Sequence, residues 1–118
     1  MHYPRLFYSL TLTLLLSNSV LLAYANGKVE GGGKRALELL QFMERLHSEG
    51  YDDVQPDAYT LNIVMKALTN CGESGAARKA NQLLRRMEES FSSGNSRLKP
   101  DLLSYNTGKL LLYIFIFN

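Results

Sequence analysis

The side chains of this chain that could do chemistry are carboxylates, carboxamides and bases, and their placement argues for recognition instead of catalysis. Asp52-Asp53, Asp57 and Asp101 fall in loops and motif ends, where they form no acid–base or metal-binding constellation. His2 lies near the start and His47 near a helix end, so no two histidines stand at metal-ligand spacing. Cys71 is the only cysteine and has neither a base nor a metal partner beside it, so it reads as an idle or buried thiol. Gly31-Gly32-Gly33-Lys34-Arg35 resembles a phosphate loop only superficially, because the Gly-x-x-x-x-Gly-Lys-Ser/Thr spacing is missing and no strand precedes it. No enzyme, cofactor or metal is expected.

What remains is a polar signature that occurs twice, Pro56-Asp57 with Asn62 and Pro100-Asp101 with Asn106. Each aspartate can cap a helix by accepting from free amides of its first turn. Each asparagine can be an ordinary polar position of that turn. Basic pairs also recur, at Lys34-Arg35, Arg78-Lys79 and Arg85-Arg86. They could touch phosphates, which would make affinity salt-dependent. They could equally form a solvated face, with Arg85 pairing with Glu89 one turn on. A formal net charge of +2 is too small to argue for nucleic acid by itself.

The elements that must position these residues are repeats. A shift of 44 residues brings Pro56-Asp57 onto Pro100-Asp101 and Asn62 onto Asn106. It also brings Ala36 onto Ala80, Leu39-Leu40 onto Leu83-Leu84, Met43-Glu44 onto Met87-Glu88, Ser48 onto Ser92 and Gly50 onto Gly94. Chance would give about one or two such identities at ordinary composition. Val54/Leu98 and Thr60/Ser104 are conservative matches at the same shift. The repeat is real.

Each unit reads as two helices. Leu61, Val64, Met65 and Leu68 follow the i, i+3, i+4, i+7 pattern and predict a helix over 60–69. Gly72 supplies a stop and Ser74 a cap for the next helix, expected over 75–91 with Ala80, Leu83, Leu84, Met87 and Phe91 on one face. Its earlier counterpart is expected over 34–48, with Ala36, Leu39, Leu40 and Met43. A hairpin of this size cannot cover its own apolar stripe and must stack on a neighbour. The expected fold is all-α, a fragment of an α-solenoid built from stacked antiparallel helix–turn–helix repeats.

The flanks read differently. Residues 1–25 have the form of a secretory signal: His2 and Arg5, a mostly apolar stretch from Leu6 to Leu22, and Ala23-Tyr24-Ala25 as a cleavage site. An uncleaved segment would instead be a membrane anchor. Residues 26–33 read as a Gly-rich linker and 34–107 as the repeat region, whose only complete unit is 58–101. Residues 108–118 form an apolar tail without a helical stripe, readable as helix, strand or translated non-coding sequence. The globular part is then roughly 80 residues, a size that buries about 60% of its unfolded surface.

Pro56-Asp57-Ala58-Tyr59-Thr60-Leu61-Asn62-Ile63-Val64 resembles the first-helix signature of the pentatricopeptide-repeat (PPR) family, roughly P-D-x-x-T-Y-N-x-x-I. Pro100 to Thr107 resembles it more closely, through Tyr105. Ala80 to Met87 and Ala36 to Met43 are similar to the family's second helix, A-x-x-L-x-x-x-M. The period departs from the family's usual unit of about 35 residues. The surplus falls in Ser90 to Lys99, which predicts an extended helix end plus loop. Tetratricopeptide repeats are the structural rival, but their first helix needs a Trp landmark, and this chain has none.

The resemblance implies single-stranded RNA as partner, read one base per unit in mitochondria or plastids. Asn62 and Asp101 would be the complete reading pair, with a preference for uracil over cytosine. A carboxamide is both donor and acceptor and suits a pyrimidine edge, while Asp101 can orient it. Asn106 would begin a second reader, and Asp57 would close a first one whose asparagine is expected upstream of the chain. Tyr59 and Leu103 occupy the base-sandwiching positions. The secretory look of the leader fits organelle localisation only where plastids are reached through the endomembrane system. Two other readings stand beside this one: a protein-interaction module using the exposed repeat ends, and a non-functional truncated gene product. A membrane is a partner only if the leader is uncleaved.

Overall fold

The computed structural model describes residues 17–27, 30–51, 54–71 and 75–107, and these are helical apart from short connections. In chain order they form α1 (17–27), α2 (Gly32–Ser48), α3 (Ala58–Cys71), α4 (Ala76–Ser92), a 3-10 turn (Ser96–Leu98) and α5 (102–107). Among the described residues there is no strand. No helix among them is long and apolar enough to cross a membrane. The apolar tail from 108 onward, Gly72 and Ser74 lie outside the described residues, as does the side chain of Cys71.

The helix ends repeat as faithfully as the sequence. Asp57 caps α3, its Oδ1 accepting from the Thr60 N–H at 3.0 Å. Asp101 does the same for α5, accepting from the Ser104 N–H at 2.9 Å. At the other end, α2 and α4 close with the same double hydrogen bond. The Gly50 N–H donates to His47 O and the Tyr51 N–H to Leu46 O; the Gly94 N–H donates to Phe91 O and the Asn95 N–H to Ser90 O. Closing the chain this way needs a left-handed residue, and both Gly50 and Gly94 sit at φ 106°. The starts of α2 and α4 also match, at Gly31 and Gly75, both left-handed and without a side-chain cap. The residue at the cap of each second helix is therefore a glycine.

The stripes that the periodicity picks out face inward. Ala36, Leu40 and Met43 of α2, Leu61, Val64, Met65 and Leu68 of α3, and Ala80, Leu83, Leu84 and Met87 of α4 are all buried in one cluster. Helix α3 packs on α2 on one side and α4 on the other. Its run from Thr60 to Met65 is buried without a break, which marks a helix enclosed on most sides. Phe91, expected on the α4 stripe, is instead 40% exposed, with the Lys99 ammonium 5.9 Å from its ring centre. The surplus residues of the long repeat fold back on the stack. The 3-10 turn packs on α4, Leu98 leans on the core, and Arg97 Nη2 donates to Gln55 O of the preceding loop at 3.1 Å.

Two stretches differ from the expectation. The two ends of the presumed linker are helical: residues 26–27 end α1, and Gly32 and Gly33 are buried in the first turn of α2. Within the presumed leader, residues 17–25 belong to α1, which packs in the core through Leu21 and Ala25, both 0% exposed. An apolar run suits either use, because hydropathy alone does not register what covers it.

Gly50→Ala and Gly94→Ala should each cost about 1 kcal/mol, since a β-carbon is disfavoured in the left-handed region by that order. No atom lies within 4 Å of a β-carbon built at either position, so the loss is one of backbone conformation alone. Urea unfolding followed by circular dichroism measures it, and unchanged midpoints in both variants would contradict the cap geometry.

Candidate functional site

The signature residues converge where one unit meets the next. Asn62 lies in the second turn of α3, and Asp101 caps α5, 39 residues further on in the chain. Asn62 Nδ2 donates to Asp101 Oδ1 at 3.3 Å and lies 3.5 Å from Oδ2. Ser104 completes the group: its Oγ is 2.6 Å from Asn62 Oδ1 and 3.0 Å from Asp101 Oδ1. The same Oγ accepts from the Asp101 N–H at 3.1 Å.

This arrangement leaves one orientation for the amide. A carboxylate only accepts, so Asn62 must turn its NH₂ toward Asp101, and its oxygen then faces the serine hydroxyl. One amide hydrogen and one oxygen lone pair remain uncommitted by these bonds. They form a donor and acceptor pair held by two neighbours, although Asn62 is only 6% exposed. The aspartate is thus both helix cap and amide orienter, and the two roles use the same carboxylate.

The Asp101 carboxyl is held below the ordinary carboxylate value, chiefly by the Ser104 backbone N–H. Burial pushes the other way, and hydrogen bonds from the Ser104 hydroxyl and the Asn62 amide add to the lowering. The ionised form is therefore the one that the site holds at neutral pH.

The remaining signature residues fall around this group. Tyr59 precedes Asn62 by nearly one turn of α3 and is 56% exposed, and Leu103, beside Ser104 on α5, is 58% exposed. Both are large apolar side chains presented to solvent at equivalent positions of successive units. Asn106 is exposed on the last described turn. Asp57 faces Thr60 as Asp101 faces Ser104, with Thr60 Oγ1 3.0 Å from Asp57 Oδ1. Thr60 Oγ1 is also 3.2 Å from Asn18 Oδ1, on α1.

Lys34, Arg35, Arg78, Lys79, Arg85 and Arg86 are all exposed, on α2 and α4. Arg86 pairs with Glu44 across the two units. No group of three or more potential metal ligands occurs among the described residues. The residues that motif reading missed are Ser104, Thr60 and Asn18. The Thr60/Ser104 match was visible as a hydroxyl kept at one phase of the repeat. Asn18 sits one period before Asn62, in a segment already set apart as an address.

Because the Asp101 carboxyl is the stronger acid in the folded chain, its contribution to stability is complete above its unfolded-state value. It fades as pH falls through the lower folded value. An NMR titration of this carboxyl should give a midpoint below that of an unstructured peptide. In Ser104→Ala the midpoint should move up only in part, since the backbone N–H remains.

Compared with protein-family models, curated proteins and solved structures, the chain matches none of them.

Proposed function

We propose that the chain binds single-stranded RNA as a PPR-type repeat protein or a segment of one, acting in organelle RNA metabolism. The observation that carries this reading is the Asn62–Ser104–Asp101 group, an amide oriented by a carboxylate and a hydroxyl at the junction of two units. Sequence-selective RNA binding requires unstacked bases whose edges meet fixed donors and acceptors and whose faces meet flat or apolar side chains. Asn62 supplies the first requirement. Tyr59 and Leu103, exposed on consecutive first helices, supply the second. A pyrimidine fits a side chain that offers one donor and one acceptor. Uracil is the preferred base by the family resemblance of the Asn–Asp combination.

The basic residues have a lesser part in this reading. They lie on the second helices, away from the signature on the first, and Arg86 is already paired with Glu44. Affinity should therefore depend more on base contacts than on phosphate neutralisation, with a shallow salt dependence.

A second reading, docking of another helical element, is favoured by a groove at the start of the stack. Val20, Tyr24, Leu39 and Phe42 line it, with Val20 42% and Phe42 39% exposed. One period on, Val64, Leu68 and Leu83 occupy three of the matching positions and are buried, while the fourth is the exposed Arg86. The preceding hairpin accounts for that difference, so the groove has the form of a surface made for a further hairpin.

The RNA reading is tested by titrating the full chain with short oligo-U, oligo-C and oligo-A RNAs at one salt concentration. Asn62→Ala should reduce binding to oligo-U by about tenfold, the scale of one lost base contact. It should also narrow the gap between U and C. Equal affinity for all three RNAs, unchanged in the variant, would remove the base-reading role.

A further inference from the structure

The 44-residue shift does not stop at Lys34. Carried upstream, it brings Asn18 onto Asn62, Val20 onto Val64, Ala23 onto Ala67, Asn26 onto Asn70 and Gly31 onto Gly75. The core of a secretory leader needs only apolar character. Nothing in that role keeps an asparagine and a glycine in phase with a downstream repeat.

The contacts of the bridging hydroxyl repeat with the same shift, while the direct bond from amide to carboxylate is seen for Asn62 with Asp101. Thr60 Oγ1 bridges Asn18 Oδ1 at 3.2 Å and Asp57 Oδ1 at 3.0 Å. Ser104 Oγ bridges Asn62 Oδ1 and Asp101 Oδ1 in the same manner. Leu21 stands one period before Met65, and both are 0% exposed. Gly31 and Gly75 share the left-handed conformation that opens the second helix of each unit.

The A-x-A cleavage site is built into this packing. Ala25 is 0% exposed, and its carbonyl accepts from Asn70 Nδ2. Asn26 Oδ1 accepts from Lys66 Nζ at 2.9 Å. Cutting between Ala25 and Asn26 would take Leu21 and Ala25 out of the core. It would also strip α3 of the groups that now meet Thr60 and Asn70.

We infer that residues 17–27 are the opening helix of the repeat array, retained in the working protein, and that Asn18, Thr60 and Asp57 form a second site for the ligand class that Asn62, Ser104 and Asp101 take. The retention stands on packing alone, whereas the ligand of the second site rests on the RNA reading proposed above. Two sites one unit apart would engage adjacent pyrimidines of one strand. The first reader is then supplied by a segment that resembles an address, and that carries the asparagine of the signature without its Pro-Asp.

Retention is tested by expressing the full chain with a C-terminal tag in a eukaryotic host and reading its N-terminus by sequencing and intact mass. The expected start lies at or upstream of Ser17; a start at Asn26, or anywhere after Ser17, overturns it. The second site is tested on the full chain with oligo-U RNA. Asn18→Ala and Asn62→Ala should each weaken binding by about tenfold, one base contact apiece. Leu21→Ala loosens the same helix without touching the amide, and at equal helicity it should bind as the parent does. An effect at Asn62 with none at Asn18, or an equal loss in Leu21→Ala, overturns the second site and leaves the RNA reading in place. No binding by the parent, or no effect at either asparagine, overturns the RNA reading and the second site's ligand with it, while the N-terminal result still decides retention.

Discussion

No hairpin in this chain can cover its own apolar stripe, and the rest of the structure follows from that constraint. Helix α3 shows it most clearly. Its residues from Thr60 to Met65 are buried in unbroken succession, so it needs cover on several sides and receives it from α1, α2 and α4. A helix amphipathic in the ordinary way would need one partner. The stack is therefore cooperative between neighbours, as repeat arrays are, with each unit completing the fold of the next. The groove lined by Val20, Tyr24, Leu39 and Phe42 is the same constraint seen at the start of the stack.

Burying a first helix on most sides brings polar side chains into places where they must be satisfied, because an unpaired buried amide costs about 1–3 kcal/mol. Asn62 is such a side chain, and the neighbouring unit supplies what it needs, a carboxylate for its NH₂ and a hydroxyl for its oxygen. The bridge is economical in residues. One aspartate caps its own helix and orients the preceding unit's asparagine, and one hydroxyl links the two. These bonds also set the register between units, since a slip of one residue along the helix would separate all three groups. Capping and assembly thus draw on the same few atoms.

The long period is accommodated without disturbing that junction. The surplus residues follow the second helix, where Gly50 and Gly94 end it cleanly, and a 3-10 turn returns the chain to the next Pro-Asp. Extra length in a surface connection costs little closure entropy. Contacts such as Arg97 with Gln55 O hold the loops of successive units together.

Much was determined by sequence alone: the all-α class, the 44-residue period, the helices over 34–48, 60–69 and 75–91, and the aspartate caps. These are properties of local spacing, and periodicity and cap chemistry act within a few residues. Only the tertiary structure decided what lies beside what. Asn62 and Asp101 are 39 residues apart, and their contact through Ser104 exists only once two units stack. The cap of α4 fell to Gly75, because a left-handed glycine was already turning the chain there. Residues 17–25 were the hardest case, since an apolar run has the same composition whether it crosses a membrane, directs export or packs in a core. The structure buries Leu21 and Ala25 in the core cluster, and burial depends on the partner surface, which no local pattern contains.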